Sequence, residues 1–226
     1  MTVRTNLHIV PPHNELQLMY SKNGIKSILK YLYNHSYSII DELIYENIIK
    51  VSKLQGKPIS CTKGCYFCCY EQVLAQGIEA LSAAAWIKDQ PRPFKRQVAK
   101  KLRKWHQKLK NANINSDLKT HQEIYSSADD YWRANVPCPF LSNDNACSIY
   151  KVRPFACRTM LAISSPDKCK SLNNAMIVNC KDFEQYIRMQ FSSASNILLQ
   201  LTTDGKQRKI LNSVSWFPLL VMQSLE

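Results

Sequence analysis

Glycine is scarce in this chain, with five residues among 226. Folds that bind nucleotides usually need a glycine-rich turn, because glycine lets the backbone approach a phosphate closely. The sequence contains neither the G-x-G-x-x-G pattern nor a Walker loop. It therefore gives no support to a nucleotide-binding domain of either class.

Long apolar runs are also missing. No stretch approaches the ~18 apolar residues that a membrane span requires. The first residues lead to Pro11 and Pro12 without the apolar segment of a secretory signal. The expected location is the cytoplasm, where thiols stay reduced.

Acidic side chains are few, at 17 against 30 Lys and Arg, which gives a net charge of +13. Nine of the basic residues lie between Arg92 and Lys110, a segment with no acid. Such a charge favours attraction to nucleic acid or to an acidic protein surface, and it is equally typical of a solvated helix face. An apolar stripe over 94–109 predicts that this helix packs on the core and turns its basic residues to water.

Alternating strand patterns are absent too, and helical periodicity is found along most of the chain. The sequence predicts a mainly α protein, a helical scaffold around an irregular cysteine-rich metal-binding module. Three segments are expected: N-terminal helices over 1–55, the metal-binding module over 56–165, and a helical extension over 166–226. The predicted helices cover 15–54 with an interruption near Asn34, 78–88, 94–109, 117–132 and 181–201, and Pro218 is expected to interrupt the helical tail.

Cysteine is the residue type that the chain has in excess, with nine in total. Four lie in one stretch of nine residues, and three more lie in a second stretch some seventy residues later. The first stretch contains Cys61, Cys65, Cys68 and Cys69, and the second contains Cys138, Cys147 and Cys157. In a reducing compartment such thiols are better explained as metal ligands than as disulfides.

The spacing of the first stretch suits a metal site. Thiolates are soft donors that bind zinc or iron, and Cys65-x-x-Cys68 can wrap two sulfurs around one ion, with Lys63-Gly64 as a tight turn before it. Cys61 can add a third ligand, whereas Cys69 can face a second metal, bridge, or serve as a structural thiol. One tetrahedral zinc needs four ligands, so seven thiols favour two centres or one iron–sulfur cluster with spare thiols. Whether Cys169 and Cys180 belong to the site stays open.

Basic and aromatic residues flank the second stretch. Arg153 and Arg158 can offset the negative charge of metal-bound thiolates through hydrogen bonds to sulfur, or they can make ordinary surface contacts. Phe140, Tyr150 and Phe155 can shield the site, and a dry surrounding shell tunes metal affinity.

Together the two stretches, C-x-x-x-C-x-x-C-C and then C-P-F-L with C-x-I-Y-x-x-R-P-x-x-C-R, resemble the YkgJ-type cysteine-cluster family. The resemblance covers residues 61–158 and implies a zinc- or iron-chelating domain related to flagellin lysine N-methylases. It implies chelation by seven thiols: Cys61, Cys65, Cys68, Cys69, Cys138, Cys147 and Cys157. Glu79 corresponds to a glutamate of the family, and it can be a helix cap, a solvent-exposed residue or a metal ligand.

Two functions are compatible with these residues. The first is a metal-binding protein that holds zinc or an iron–sulfur cluster. The alternative is an enzyme, either an iron–sulfur-dependent lysine N-methylase or a radical S-adenosylmethionine type, since Cys61-x-x-x-Cys65-x-Phe67-Cys68 has the spacing of the latter. The alternating β/α pattern expected of that class is missing, and whether the protein is an enzyme is left undecided.

Overall fold

The computed structural model describes residues 8–115, 121–170 and 181–226, and most of them are helical. The mainly α class predicted from the sequence is therefore confirmed. The helices are α1 (His13–Asn23), α2 (Ile25–Tyr31), α3 (Tyr37–Gln55), α4 (Gly77–Lys88), α5 (Arg92–Asn111), α6 (His121–Ser126), α7 (Ala128–Arg133), α8 (Phe155–Thr159), α9 (Lys181–Leu201), α10 (Gly205–Leu211) and α11 (Phe217–Leu225). Two strands and several short turns join them: β1 (Leu74–Gln76), β2 (Val214–Trp216), a π turn (Leu32–Ser36) and 3₁₀ turns at Phe67–Tyr70, Tyr150–Val152 and Pro166–Lys170.

Helix α4 forms the centre of the core. Nine of its twelve residues are buried, because alanine and other small or apolar side chains surround it on every side. A helix without a polar face is stable only inside a protein, and α2, α5, α9, α10 and α11 all pack against it. The core takes side chains from the N-terminal helices, from α4 and from α9 to α11.

Gly77, the first residue of α4, lies against the backbone of α10. Its N–H donates to the Ser213 carbonyl at 2.9 Å, and a Cβ built on it would overlap the carbonyl oxygen of Ile210. Gly77→Ala is therefore expected to destabilise the fold by about 2–3 kcal/mol, as overpacking of a rigid contact does. Urea unfolding would measure this loss. Gly205→Ala is the control, since no atom of the described residues lies near the added methyl group there. Equal stability of the two variants would contradict the prediction.

Helix α5 has the arrangement that its stripe predicts. Val98, Leu102, Trp105 and Leu109 are buried, and the indole N–H of Trp105 donates to the Tyr131 hydroxyl at 3.1 Å. These side chains join a second core cluster with Trp216 and Leu219. The helix runs somewhat further than its periodicity indicates, from Arg92 to Asn111.

A two-stranded antiparallel ribbon carries the first cysteine stretch into the core. Its register pairs Leu74 with Trp216 and Gln76 with Val214, and Phe217 N–H donates to the Val73 carbonyl at 2.8 Å. The sequence did not predict this ribbon, because strands of three residues show no alternation. The ribbon fixes the end of the cysteine stretch to the start of α11.

The helical segments at the two ends of the chain differ in detail from the prediction. The segment expected to be helical over 15–54 with an interruption near Asn34 has an additional break at Gly24, where φ is +61°. A π turn lies at the expected interruption. Helix α9 begins and ends as predicted. Pro218 does not interrupt a helix: it lies in the first turn of α11, where a missing N–H costs nothing.

One helix was expected over 117–132. Residues 116–120 lie outside the described residues, and the part from 121 onward forms two short helices, α6 and α7. In the described part of the chain, no helix combines the length and the apolar character needed to cross a membrane.

Candidate metal centre

The first cysteine stretch folds as two consecutive turns. Cys65 N–H donates to the Thr62 carbonyl at 3.0 Å, and Gly64 between them has φ +93°, which a side chain would disfavour. The tight turn expected at Lys63-Gly64 is therefore present. A 3₁₀ turn then places Cys68 and Cys69 side by side, closed by the Cys69 N–H bond to Tyr66 at 2.9 Å.

One backbone hydrogen bond joins the two stretches directly. Cys138 N–H donates to the Cys69 carbonyl at 2.7 Å, so residues 69 positions apart in sequence become neighbours. Beyond Cys138 the chain forms a small hairpin in which Leu141 pairs with Cys147. The hairpin therefore brings Cys147 back beside Cys138.

Helix α8 supplies the last thiol of the second stretch. It begins after Pro154, and Cys157 N–H donates to the Pro154 carbonyl at 3.0 Å. Phe140 and Phe155 are buried beside it, whereas Tyr150 is 58% exposed. Two of the three aromatic residues expected to shield the site thus lie in the core, and Tyr150 lies at the surface.

Cys68 lies at the middle of the described thiols. The Cys69 thiol donates to the Cys68 sulfur, which lowers the pKa of Cys68 and raises the pKa of Cys69. Cys68 is also the exposed member of the set, while the other described cysteines are partly buried. It is therefore the described thiol that most readily becomes a thiolate.

Burial raises the pKa of the surrounding thiols, and the nearby charge of Cys68 raises each of them further. These thiols are Cys61, Cys138, Cys147, Cys157 and Cys169. For Cys138 the raised pKa is about 12. Because a metal ligand must be a thiolate, an ion bound by these thiols would have to displace their protons.

Arg153 lies near the thiols and has a hydrogen-bond donor that no described residue accepts. Its guanidinium stacks on the Tyr150 ring at 4.0 Å and donates to the Tyr150 hydroxyl at 3.2 Å. Its Nε is buried and has no hydrogen-bond partner among the described residues. Its positive charge opposes the effect of burial, which raises the pKa of Cys147 and Cys157. A buried donor that lacks a partner is costly, and a metal-bound thiolate would be a suitable acceptor.

Arg158 is placed differently from Arg153. It is 1% exposed, and its three guanidinium nitrogens are bonded to oxygen: Asp41 at 2.5 Å, the Lys151 carbonyl at 2.7 Å and the Arg153 carbonyl at 3.0 Å. It also covers the Tyr37 ring at 4.4 Å. Arg158 therefore makes neither of the contacts expected for it, an ordinary surface contact or a hydrogen bond to sulfur. Its hydrogen bonds attach the second cysteine stretch to α3.

Glu79 is a helix cap that also holds α8. It is 3% exposed, so the solvent-exposed alternative is wrong. One carboxylate oxygen accepts from Gln76 N–H at 2.9 Å within a capping box, and the other accepts from Phe155 N–H at 2.7 Å. Its two oxygens are thus used by backbone donors, and they fix the start of the helix that carries Cys157.

Glu79→Gln is expected to cost about 1–3 kcal/mol, because an amide N–H would face a backbone N–H. Burial raises the pKa of Glu79, so the folded state holds this proton more tightly than the unfolded state does. The stability that this carboxyl contributes is therefore lost as pH rises through its folded pKa, and the variant lacks that slope. Denaturant titrations at several pH values would measure both effects. Glu46→Gln at an exposed site should change stability by less than about 0.5 kcal/mol.

The described thiols lie near one another, but they do not form a complete coordination shell for an ion. Within residues 8–115, 121–170 and 181–226, no three Cys, His, Asp or Glu side chains are arranged to hold an ion. The chemistry of the donor set nevertheless fits zinc or iron, since eight free thiols and the unpaired Nε of Arg153 lie in one region. Closure around an ion would therefore require thiol side chains to move.

Two residues of this region have contacts that the sequence did not predict: Asp41 and Cys169. Asp41 lies on α3, far from the cysteines in sequence, and no local pattern pairs it with Arg158. Cys169 lies beside the first stretch, a placement that its position after the second stretch did not reveal. Cys180 lies outside the described residues.

Comparison with known proteins agrees with this donor set. No curated protein and no solved structure matches the chain. A family model matches residues 60–181 and carries the description "CxxCxxCC: Putative zinc- or iron-chelating domain". The matched segment spans more than half of the chain and contains all nine cysteines. The YkgJ-type resemblance is thereby confirmed, and the chain belongs to the CxxCxxCC family of zinc- or iron-chelating domains.

Proposed function

We propose that the protein binds zinc or an iron–sulfur cluster through the thiols of its two cysteine stretches. The ligands would come from Cys61, Cys65, Cys68, Cys69, Cys138, Cys147 and Cys157. The observation that supports this most strongly is the gathering of free thiols from both stretches around Cys68. Family membership supports the same metals.

In this proposal, Arg153 and Arg158 act on the site in different ways. Arg153 would turn its unpaired Nε to a metal-bound sulfur, which would offset the negative charge of the thiolates. Arg158 would hold the backbone of the second stretch in place through its bonds to Lys151 and Arg153. A bound ion would supply the charge that keeps the buried sulfurs ionised.

The first experiment is a metal and acid-labile sulfide analysis of protein purified without oxygen, together with a visible absorption spectrum. Zinc without colour would support a closed thiolate site. Iron with sulfide and broad visible absorption would support a cluster. Protein that holds neither metal, and that takes up neither after reconstitution, would overturn the proposal.

Metal affinity is expected to rise with pH. Burial raises the pKa of Cys61, Cys138, Cys147 and Cys157, so these thiols release protons on binding, and a higher pH favours that release. Competition with a chromophoric chelator between about pH 6 and pH 8 would measure the slope, after correction for the chelator's own protonation. An affinity that does not change over this range would contradict the expectation.

The enzymatic alternative has less support. The strands of the described residues are a single three-residue pair, which does not supply the β/α pattern expected for a radical S-adenosylmethionine enzyme. An iron–sulfur result would make it worth testing with labelled S-adenosylmethionine under anaerobic reducing conditions. Cofactor cleavage or methyl transfer to a protein substrate would support it.

A second proposal concerns the exposed face of α5, which we infer to bind a nucleic acid. Eight Lys or Arg side chains of this helix are exposed, and none of the ion pairs within the described ranges involves it. The face is about 30 Å long at 1.5 Å per residue.

Binding to phosphates should weaken steeply with salt, so titration of a single-stranded oligonucleotide at two salt concentrations tests it. Arg96→Glu with Arg103→Glu should abolish binding, and an unchanged affinity would overturn the proposal.

A further inference from the structure

Helix α5 carries cations on both of its flanks as well as along the middle of its exposed face. Arg92, Arg96 and Arg103 follow one another at intervals of four and seven residues, so they lie in one row opposite the buried stripe. Lys95 and Lys104 are nine residues apart, about two and a half turns, and therefore leave the helix on opposite sides. All five side chains are exposed. The basic surface is thus a ridge with a cation on each flank.

Lysines from another helix surround the carboxylate at the start of this ridge. Asp89, between α4 and α5, lies 3.8 Å from the Lys26 ammonium and 3.5 Å from the Lys30 ammonium, both on α2. The Lys95 ammonium donates to the Lys88 carbonyl at 3.2 Å. These contacts are exposed to solvent, and exposed ion pairs are weak, so the lysines can exchange them for another anion. The positive surface of α5 therefore continues onto α2.

Basic residues also surround a carboxylate beside the middle of α5. Lys101 Nζ donates to the Leu141 carbonyl at 2.6 Å, which places the hairpin of the second cysteine stretch next to the helix. The pKa of Asp144 in that hairpin is lowered first by the hydrogen bond from Ser142, and also by the nearby charges of Lys63 and Lys101. The positive surface therefore continues across the hairpin to the exposed Lys63.

The two aromatic rings of α5 are turned away from its basic face. Phe94 packs edge-on against Trp86 with ring centres 5.8 Å apart, and Trp105 is buried. Proteins that hold single strands combine a basic groove with aromatic rings that stack on the bases, and a helix that binds lipid inserts an apolar face. Since the apolar side of α5 packs on the core, this surface suits neither a single strand nor a lipid bilayer.

We propose that the ligand of this face is double-stranded DNA, with α5 lying in the major groove. The inference rests on the proposed binding of nucleic acid by α5 and names the class of nucleic acid. A helix with its side chains is about 10–12 Å across, and the major groove of B-form DNA is about 12 Å wide. The two phosphate strands that border the groove then face Lys95 on one flank and Lys104 on the other. A single strand would meet only one flank at a time.

Double-stranded RNA fits this ridge less well than double-stranded DNA. The major groove of an RNA duplex is deep and narrow, so side chains on a helix cannot enter it. Its wide minor groove is shallow and presents 2′-hydroxyl groups, which need hydrogen-bonding partners more than cations. The preference for DNA over RNA therefore depends on groove width and can be measured.

The test is a set of equilibrium titrations of the full chain, followed by fluorescence anisotropy at matched salt. The first probe is a DNA duplex of about 20 base pairs, longer than the face of α5 at 3.4 Å per base pair. The others are its two separate strands, an RNA duplex of the same sequence, and a DNA duplex with bulky groups at pyrimidine C5, which fill the major groove. The unmodified DNA duplex should bind at least about tenfold more tightly than each of the others.

Two double variants separate a role of the flanks from a general effect of charge. Lys95→Ala with Lys104→Ala removes one phosphate contact on each side, so the slope of log affinity against log salt should become shallower by about 2 for the DNA duplex. Lys50→Ala with Lys53→Ala removes the same charge from exposed sites on α3 and should leave the slope unchanged. A thermal melt of each variant would check that the fold is intact.

Several results would overturn the inference. Equal or tighter binding of a single strand, of the RNA duplex or of the duplex with a filled groove would reject the major groove of DNA while leaving nucleic-acid binding by α5 intact. An unchanged salt slope in the flank variant of folded protein would reject it as well. No binding of any nucleic acid at low salt would count against the underlying proposal itself, and binding to anionic phospholipid vesicles alone would identify a membrane surface as the ligand.

Discussion

Cys68→Ser is expected to remove more metal than any other single cysteine substitution. The Cys68 sulfur accepts a hydrogen bond from the Cys69 thiol, and the charge of Cys68 raises the pKa of thiols in both stretches. A serine hydroxyl stays protonated at neutral pH and is a harder donor than a thiolate, so it is a poor replacement. The substitution should therefore disturb both groups of ligands at once.

The magnitude follows from the coupling of metal binding to folding. Changes beyond the ligands cost about 10–100-fold in affinity, and loss of a central ligand should cost at least about 100-fold. A structural metal adds its binding free energy to folding, so the melting temperature should fall as well. Elemental analysis and a thermal melt, each with and without added zinc, would measure these effects.

Thr62→Ala is the matched control for Cys68→Ser. Thr62 lies in the same stretch with an exposed side chain, and only its backbone carbonyl takes part in the turn to Cys65. It should keep the metal content of the wild type. A Cys68→Ser protein with unchanged metal content and an unchanged melt would show that Cys68 is not a ligand.

Arg158→Ala is expected to destabilise the protein by about 3–5 kcal/mol, because it leaves buried acceptors without their donors and creates a cavity. The side chain is fully enclosed, and its removal leaves the Lys151 and Arg153 carbonyls without their donors and a void beside Tyr37. Asp41 is 45% exposed, so water can solvate its carboxylate and limit the loss. In a chain of this length the melting temperature should fall by about 10 °C.

Two variants define what Arg158 contributes. Arg158→Lys keeps the charge but cannot reach three acceptors with one ammonium group, and it should still cost about 2 kcal/mol. Arg103→Ala removes an exposed arginine from α5 and should change stability by less than about 0.5 kcal/mol. Urea unfolding of metal-free protein would measure all three. Equal stability of Arg158→Ala and Arg103→Ala would show that the bonds to α3 and to the loop contribute nothing.

Local patterns predicted the helices well where one face meets the core. The stripe of α5 and the periodicity of α9 each describe one apolar face, and these helices are found where the patterns place them. Patterns failed where a few residues decide the outcome. The break at Gly24 and the first turn of α11, which contains Pro218, depend on one residue each. The three-residue ribbon forms only because its two strands meet from distant parts of the chain.

The sequence by itself determined the thiol donors, the turn at Gly64 that brings Cys65 toward Cys68, and the choice of zinc or iron. These properties follow from residue chemistry and from spacing over a few positions. Tertiary structure decided which groups meet: Cys69 with Cys138, Glu79 with the start of α8, Arg158 with Asp41, and Cys169 with the first stretch. These pairs are separated by many residues along the chain. Contacts between elements that are distant in sequence bring them together, and no local pattern encodes those contacts.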